Sequence, residues 1–295
     1  MFPVGSGIVP GMHHDSAPLE KDGYRMETKG RIVTLTTDFG TIDGSQTVLH
    51  GVIYGIAPEV RVLDLTHAIK PQDIRHAAFV MSKNVFFFPP DSVHVVVVDP
   101  GVGTDRRAIA ARIGRQYFVA PDNGVLTPMM LRAEDEGWPL VVVDANRPEF
   151  WREGISQIFH GRDVFAPLGA HLASGIALED VGDVVDDAIR IDWPQPIRTP
   201  EGVLGTVLHI DNFGNAISNI HPEDVAHLGD LMIELCGAKI EGMVRTFGDS
   251  PYDSDTLIAL WDSNDYLMIS ENNGTGGKVI QPKRGDAVVI RPQDG

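Results

Sequence analysis

At 295 residues with 43% apolar content, the chain is long enough for one large core or two modest ones. Its 41 acids against 24 Lys and Arg give a formal charge of −17, which repels nucleic acid and anionic lipid and sets both aside as partners. The single cysteine, Cys236, excludes an intrachain disulfide and a thiolate metal site and suits a reducing cytoplasm; no apolar run reaches membrane-spanning length and no signal-peptide pattern opens the chain.

Residues 1–30 mix Gly, Pro, His and charge without periodicity and read as a flexible extension, with the His13-His14 pair not taken as a metal site. From Arg31 the pattern becomes regular. "RIVTLTTDFG" is a β-branched run ending on Asp-Phe-Gly, "TVLHGVIYGIAP" reads as a helix stopped by proline, and "VRVLDLTH" as a second strand, which together make a β-α-β unit. "IRHAAFVMSKNVFFFP" predicts a helix closed by Pro89-Pro90, "SVHVVVVD" a buried strand, "AIAARIGRQYFVAPDNGVLT" a hairpin-like pair, and "GRDVFAPLGAHLASG" a further helix. Strands alternating with helices, one of them too continuously apolar for a half-exposed strand, predict a mostly parallel sheet covered on both faces. Near Pro194 the pattern shifts. "GVLGTVLHIDNFGNAISNI", "LMIELCGAKIEGMVRTF", "TLIALWDSNDYLMIS" and "GDAVVIRP" read as strands separated by turn residues. The expected fold is therefore an α/β sandwich-like domain over residues 31–193 and a smaller all-β, barrel-like domain over residues 194–295, with "AIRIDWPQPIRTPEG" as the linker.

The stretch "VHVVVVDPGVGTDRR", residues 93–107, places a carboxylate at the end of a greasy strand. In open α/β sheets ligands sit beyond the carboxyl ends of the strands, and Asp38 and Asp99 both occupy such ends. Gly101 and Gly103 allow a tight turn, while Arg106 and Arg107 bring fixed positive charge back toward Asp99. A purely structural reading stands beside this one: Asp99 caps the next turn and pairs with an arginine. "APDNGVLT" is first of all a turn signal. In "FHGRDVFAP", Asp163 suits a helix cap and His160 a solvated loop, and "IDNFGNAISN" reads as a loop whose Phe213 also suits a nucleoside. No P-loop, dinucleotide fingerprint, HExxH or GxSxG occurs.

In order and spacing, "TTDFGTIDGS", "VVDPGVGTDRR", "APDNGVLT", "FHGRDVFAP", "IDNFGN" and "YLMISENNG" resemble the S-adenosyl-L-methionine (SAM) hydroxide adenosyltransferases, also called SAM hydrolases, relatives of the bacterial fluorinase and chlorinase. The resemblance covers roughly residues 31–292 and implies SAM hydrolysis to adenosine and methionine, with water as nucleophile, no cofactor and no metal. It also implies a homotrimer whose sites form where the N-terminal domain of one subunit meets the C-terminal domain of its neighbour. Carried over by position, the catalytic set is Asp99, Arg106 and His160. Asp38 matches the carboxylate that grips the ribose hydroxyls, and Asp211 and Asn215 the positions facing the methionine amino group and the adenine edge. Phe213 and Phe247 match residues that sandwich the base, with ordinary core packing as their alternative. Ser263 and Asn264 match the pair meeting the amino-acid carboxylate, and Glu271 to Asn273 the adenine-edge loop.

Two departures stand out, the first bearing on how the methionine carboxylate is held and the second separating this chain from the halogenases. The fluorinase has an arginine where this chain has Asn264, and the halogenases carry a tyrosine where this chain has Asp99. A halide and an ionised carboxylate in contact at low dielectric repel strongly, so water delivery is favoured. Gly161 faces a serine in the fluorinase but a glycine in the chlorinase. The reading of different class is a non-catalytic or slow SAM- or adenosine-binding module.

Overall fold

The computed structural model describes residues 31–249, 256–272 and 279–293; the N-terminal extension with His13 and His14, and Asn273, lie outside them. The chain divides between Trp193 and Pro194 into two units.

The first unit follows the β-α-β pattern of its sequence. β1 (Ile32–Thr37), α1 (Ser45–Ile56), β2 (Arg61–Thr66), α2 (Ile74–Asn84) and β3 (Val93–Val97) are followed by the hairpin β4 (Ala108–Ile113) and β5 (Gln116–Pro121). Then come α3 (Thr127–Asp135), β6 (Leu140–Asp144), a π-helical turn (Gly161–Phe165) that runs into α4 (Ala166–Ala173), and β7 (Asp183–Val185). The sheet order is β2-β1-β3-β5-β4-β6-β7. β2, β1, β3 and β5 are parallel, and β4, β6 and β7 extend them antiparallel.

The valine run explains the layering. Successive side chains of a strand point to opposite faces. Val93, Val95 and Val97 therefore join a core with Leu49 and Ile53 of α1 and Leu168 and Leu172 of α4. Val96 and Val98 join the opposite core, with Met81 of α2 and Met129 and Met130 of α3. With both faces covered, no position is exposed until the strand ends at Asp99, and its one polar side chain, His94, is buried between Thr34 (2.7 Å) and Gln116 (3.1 Å). Gly169 lets α4 lie directly on the sheet: a Cβ there would stand 2.4 Å from Val95 Cγ2.

Among its described residues the second unit is all-β apart from the short α5 (Pro222–Val225) and a 3-10 turn (Phe247–Asp249). Its strands are β8 (Ile197–Thr199), β9 (Gly202–Ile210), β10 (Ala216–Ser218), β11 (Leu231–Leu235), β12 (Ala238–Glu241), β13 (Leu257–Trp261), β14 (Leu267–Glu271) and β15 (Ala287–Pro292). They pair antiparallel in the order β12-β11-β15-β9-β10-β14-β13, with β8 on β9. Val244, just past β12, donates to Ala259 of β13 at 2.9 Å and nearly closes the sheet into a barrel. Val207, Ile233, Leu267 and Ile290 lie in its core.

Residues 188–202, expected as linker, are mostly structured. Ile189 N–H donates to Asp122 Oδ1 (2.8 Å) and Ile191 N–H to Thr127 Oγ1 (3.0 Å), which fastens this stretch to the first unit, while Ile197–Thr199 is a strand of the second. α3, β6 and β7 are elements that the sequence reading did not separate.

Candidate active site

Asp99 stands two residues past β3, where the ladder has ended and its carboxylate is free to turn outward. The "GVG" turn brings the chain back so that Arg106 grips it. Arg106 Nε lies 3.0 Å from each carboxylate oxygen, and Nη2 also donates to Asp99 Oδ2. The same Nη2 donates to His160 Nδ1 at 2.8 Å. Its two hydrogens thus join carboxylate and imidazole into one chain. The guanidinium lies over the Phe165 ring, 4.9 Å from the centroid, and the ion pair is nearly enclosed, with side-chain exposures of 5% for Asp99 and 10% for Arg106.

An arginine can only donate. His160 Nδ1 must therefore accept, and the proton of the neutral ring resides on Nε2. Partial burial, then the adjacent Arg106 charge, lower the His160 pKa below the ordinary histidine value against the opposing pull of Asp99 and Asp163. The result is a neutral imidazole whose Nε2–H is a donor.

Glycines fit the loops around this cluster. Gly103 has φ +77°, and a Cβ there would meet Gln157 O at 2.5 Å, so the loop after Asp99 lies on the segment before His160. A Cβ on Gly161 would stand 3.2 Å from both Phe39 and Val97. Phe39, beside Asp38, also meets Phe159 edge-on at 5.8 Å. The ends of β1 and β3 and the His160 loop therefore converge. Asp38 is half-buried, with Oδ2 accepting from Gln72 N–H at 2.7 Å.

The two neighbouring arginines diverge. Arg107 turns to the buried Asp122 (2.6 Å) and to Asp187 (2.7 Å), and Asn123 Nδ2 donates to Val98 O at 2.9 Å, so "APDNG" supports the strand end from behind. Asp163 does not cap a helix, as its sequence position suggested. It is fully buried, bonded to Arg162 (2.7 Å) and Arg152 (3.0 Å), and it accepts from Ser156 N–H (2.9 Å). Arg162 first of all lowers its pKa to about 2. Arg152 and Gln157, which shape the His160 loop, gave no signal in the sequence because neither stands in a motif.

In the β unit, Asp211 organises its own loop. Oδ1 accepts from Phe213 N–H (2.8 Å) and Asn215 N–H (2.9 Å), and Oδ2 accepts from Asn215 Nδ2 (2.8 Å). Asn215 Oδ1 in turn accepts from Ser270 Oγ at 2.5 Å. Phe213 and Phe247 are not core: they are 76% and 47% exposed. Glu271 ends β14 beside a small hollow lined also by Gly214, Ser270 and Ile280. Its Oε1 accepts from Val279 N–H (2.6 Å), and its buried Oε2 has no hydrogen-bond partner among the described residues. Ser263 and Asn264 occupy the β13–β14 turn, where Ser263 Oγ donates to Asn264 Oδ1 at 3.4 Å.

Residues 33–182 match the SAM hydroxide adenosyltransferase N-terminal domain and residues 205–289 its C-terminal domain. A protein of Salinispora arenicola named (R)-S-adenosyl-L-methionine hydrolase is 36% identical over 265 residues, covering 88% of this chain and 97% of that one. A fluorinase of Actinoplanes sp. is more distant, at 28% identity over 82% of this chain and 91% of its own. The crystal structure of an uncharacterised conserved protein from Thermotoga maritima superposes with a TM-score of 0.79 at 34% identity, covering 88% of this chain and 99% of that one. With both family domains matched in order and most of the chain covered, this protein belongs to the SAM hydroxide adenosyltransferase family.

Proposed function

We propose that this protein hydrolyses SAM to adenosine and L-methionine by in-line attack of water on the ribose 5′ carbon, and that Asp99, Arg106 and His160 carry the chemistry. The observation that carries the reading is the Asp99–Arg106–His160 chain at the end of β3. It offers an acceptor, Asp99, and a donor, His160 Nε2–H, to one water. As the oxygen–carbon bond forms, the C5′–sulfur bond breaks and its electron pair leaves with methionine as a neutral thioether. The attacking oxygen then becomes oxonium-like and strongly acidic, so the Asp99 carboxylate can take its proton and pass it to solvent. The sulfonium already leaves well. The protein's task is alignment and partial desolvation of the nucleophile.

Asp99 also argues against halide delivery, because its carboxylate would meet a second anion in a poorly solvated place. Asp38 suits the vicinal ribose hydroxyls. Asp211, Phe213, Asn215, Phe247, Ser263, Asn264 and Glu271 form the recognition set for base and amino acid. Because the two sets lie in different units of the chain and the family resemblance implies a homotrimer, we place the complete site in such an assembly, with a neighbouring subunit supplying the second set. Nothing in the proposed step calls for a metal or an organic cofactor, and the reaction suits the cytoplasm, where SAM is made.

The test is turnover in oxygen-18 water. SAM should yield methionine and adenosine labelled at the 5′ oxygen, with no 5′-halo product in added fluoride or chloride. Unlabelled adenosine would remove direct attack by water; binding without turnover would leave a SAM-binding module instead.

A further inference from the structure

Behind the β1 end, three metal-ligating side chains converge that play no part in the proposed chemistry. His50 comes from the middle of α1, Asp64 from β2 and His67 from the residue after β2. One ligand atom from each lies within 4.8 Å of the other two. His50 Nε2 is 2.6 Å from Asp64 Oδ1, and His67 Nε2 approaches the same oxygen to 2.9 Å. The two contacts differ in kind. The first is a hydrogen bond; the second falls outside hydrogen-bond geometry, and His67 Nε2 is a buried nitrogen with no hydrogen-bond partner among the described residues.

His67 is 6% exposed, and its other nitrogen is already engaged: Nδ1 lies 2.8 Å from Thr37 Oγ1. If Nδ1–H donates there, the Nε2 lone pair points at a carboxylate oxygen, a repulsive contact unless a cation lies between them. An imidazole fixed through one nitrogen with the other aimed at a carboxylate is how a metal ligand is oriented by its outer partner.

We propose that His50, Asp64 and His67 form a binding site for a divalent transition metal of the zinc class. Two imidazoles and one carboxylate suit Zn²⁺, Co²⁺ or Ni²⁺ and are poor for Mg²⁺ or Ca²⁺, which prefer all-oxygen ligands. Ligands at about 2.0–2.2 Å from a tetrahedral ion stand roughly 3.3 Å apart, so binding opens the two contacts by about half an ångström. His50 and Asp64, with side chains 25% and 44% exposed, can make that adjustment, while His67 stays anchored. Water would complete the coordination, since His50 and Asp64 are both solvent-accessible. Because Thr37 precedes Asp38, an ion here would also fix the β1 end.

The test uses the full chain stripped by chelator and titrated with Co²⁺, read by visible absorption and by calorimetry. One equivalent should bind with the intense ligand-field bands of a low-coordinate site, and Zn²⁺ should displace it. His50→Ala and Asp64→Asn, both at partly exposed positions that the fold does not depend on, should each weaken Co²⁺ binding by tenfold or more. A His13→Ala/His14→Ala variant should bind as the parent does, which separates this site from the N-terminal histidine pair. Absence of stoichiometric binding, full retention in the His50 and Asp64 variants, or loss in the His13/His14 variant would each overturn the site.

Discussion

In the α/β unit, Asp99, Arg106 and His160 satisfy one another and are largely enclosed, whereas the β unit presents Phe213 at 76% exposure and a Glu271 oxygen with no hydrogen-bond partner among the described residues. The first arrangement is preorganised: its charges are paired, its tautomer is set by Arg106, and its loops are held by close glycine contacts. Such a cluster acts on developing charge without reorganising. The second is a surface whose aromatic faces and carboxylate have capacity for further contacts, such as those of a ligand. The difference suggests that chemistry and recognition are divided between the units, and that substitutions in each should move different kinetic constants.

The largest effect should come from the enclosed cluster. Asp99→Asn, Arg106→Ala and His160→Ala should each lower kcat by about a hundredfold or more, the scale for losing a positioned proton-handling or electrostatic group. SAM affinity should fall far less, as measured by calorimetry. Near-normal turnover in all three would place the chemistry elsewhere.

Next in size is a complementation test of the division itself. His160→Ala and Asp211→Ala chains, each weak alone, are dissociated, mixed in equal amounts and reassembled. If each site takes its α/β part and its β part from different subunits, about a quarter of the sites are wild type in both parts, and turnover should rise to roughly that fraction. Mixed assemblies, verified by mass, that stay at the parental level would show that one chain completes its own site.

A smaller change is expected from Phe213→Ala. A base stacked on an aromatic ring contributes about 1–3 kcal/mol, so KM should rise about tenfold while kcat changes little. The exposed ring supports no core that its loss would collapse. A kcat loss with KM unchanged would move Phe213 from recognition to the chemical step.

Much of the fold on which this proposed division rests was legible in the sequence, and for identifiable reasons. Six residues from Val93 to Val98 with no exposed position required a strand covered on both sides, and a strand so covered releases its first carboxylate at the ligand-bearing edge. The second unit was legible because "TLIALWDSNDYLMIS" and its neighbours carry strand runs broken by turn residues. α3 was hidden because the Asp-Asn-Gly turn and Pro128 stand at its start, where they read as a loop, although proline fits a first helical turn. β6 is a five-residue run after Trp138-Pro139, too short to announce a period. The choice between Arg106 and Arg107 was not legible from composition: adjacent residues leave the chain in opposite directions, and only the partners, Asp99 for one and Asp122 for the other, separate them. His50, Asp64 and His67 were invisible because a helix and a strand bring them together across the β-α-β crossover.

The smallest expected effect concerns pH and tests the tautomer directly. His160 accepts from Arg106 only when Nδ1 is unprotonated; a protonated ring would lose that bond and set two positive charges against each other. Burial and Arg106 lower its pKa, so the neutral ring persists below the pH at which a free histidine titrates, about 6.5. The sign follows. Lowering the pH from 8 to 6.5 should reduce kcat by less than about twofold, and the acid limb should have its midpoint below 6.5. Replacing Arg106 by Ala removes one cause of the shift, so any residual activity should show its acid limb at higher pH. Following the His160 ring by NMR titration alongside the kinetics checks that the limb belongs to this group. An acid limb of kcat centred at or above 6.5, tracking His160, would mean that the ring is charged in the working enzyme, and the assignment of a neutral Nε2–H donor would fail.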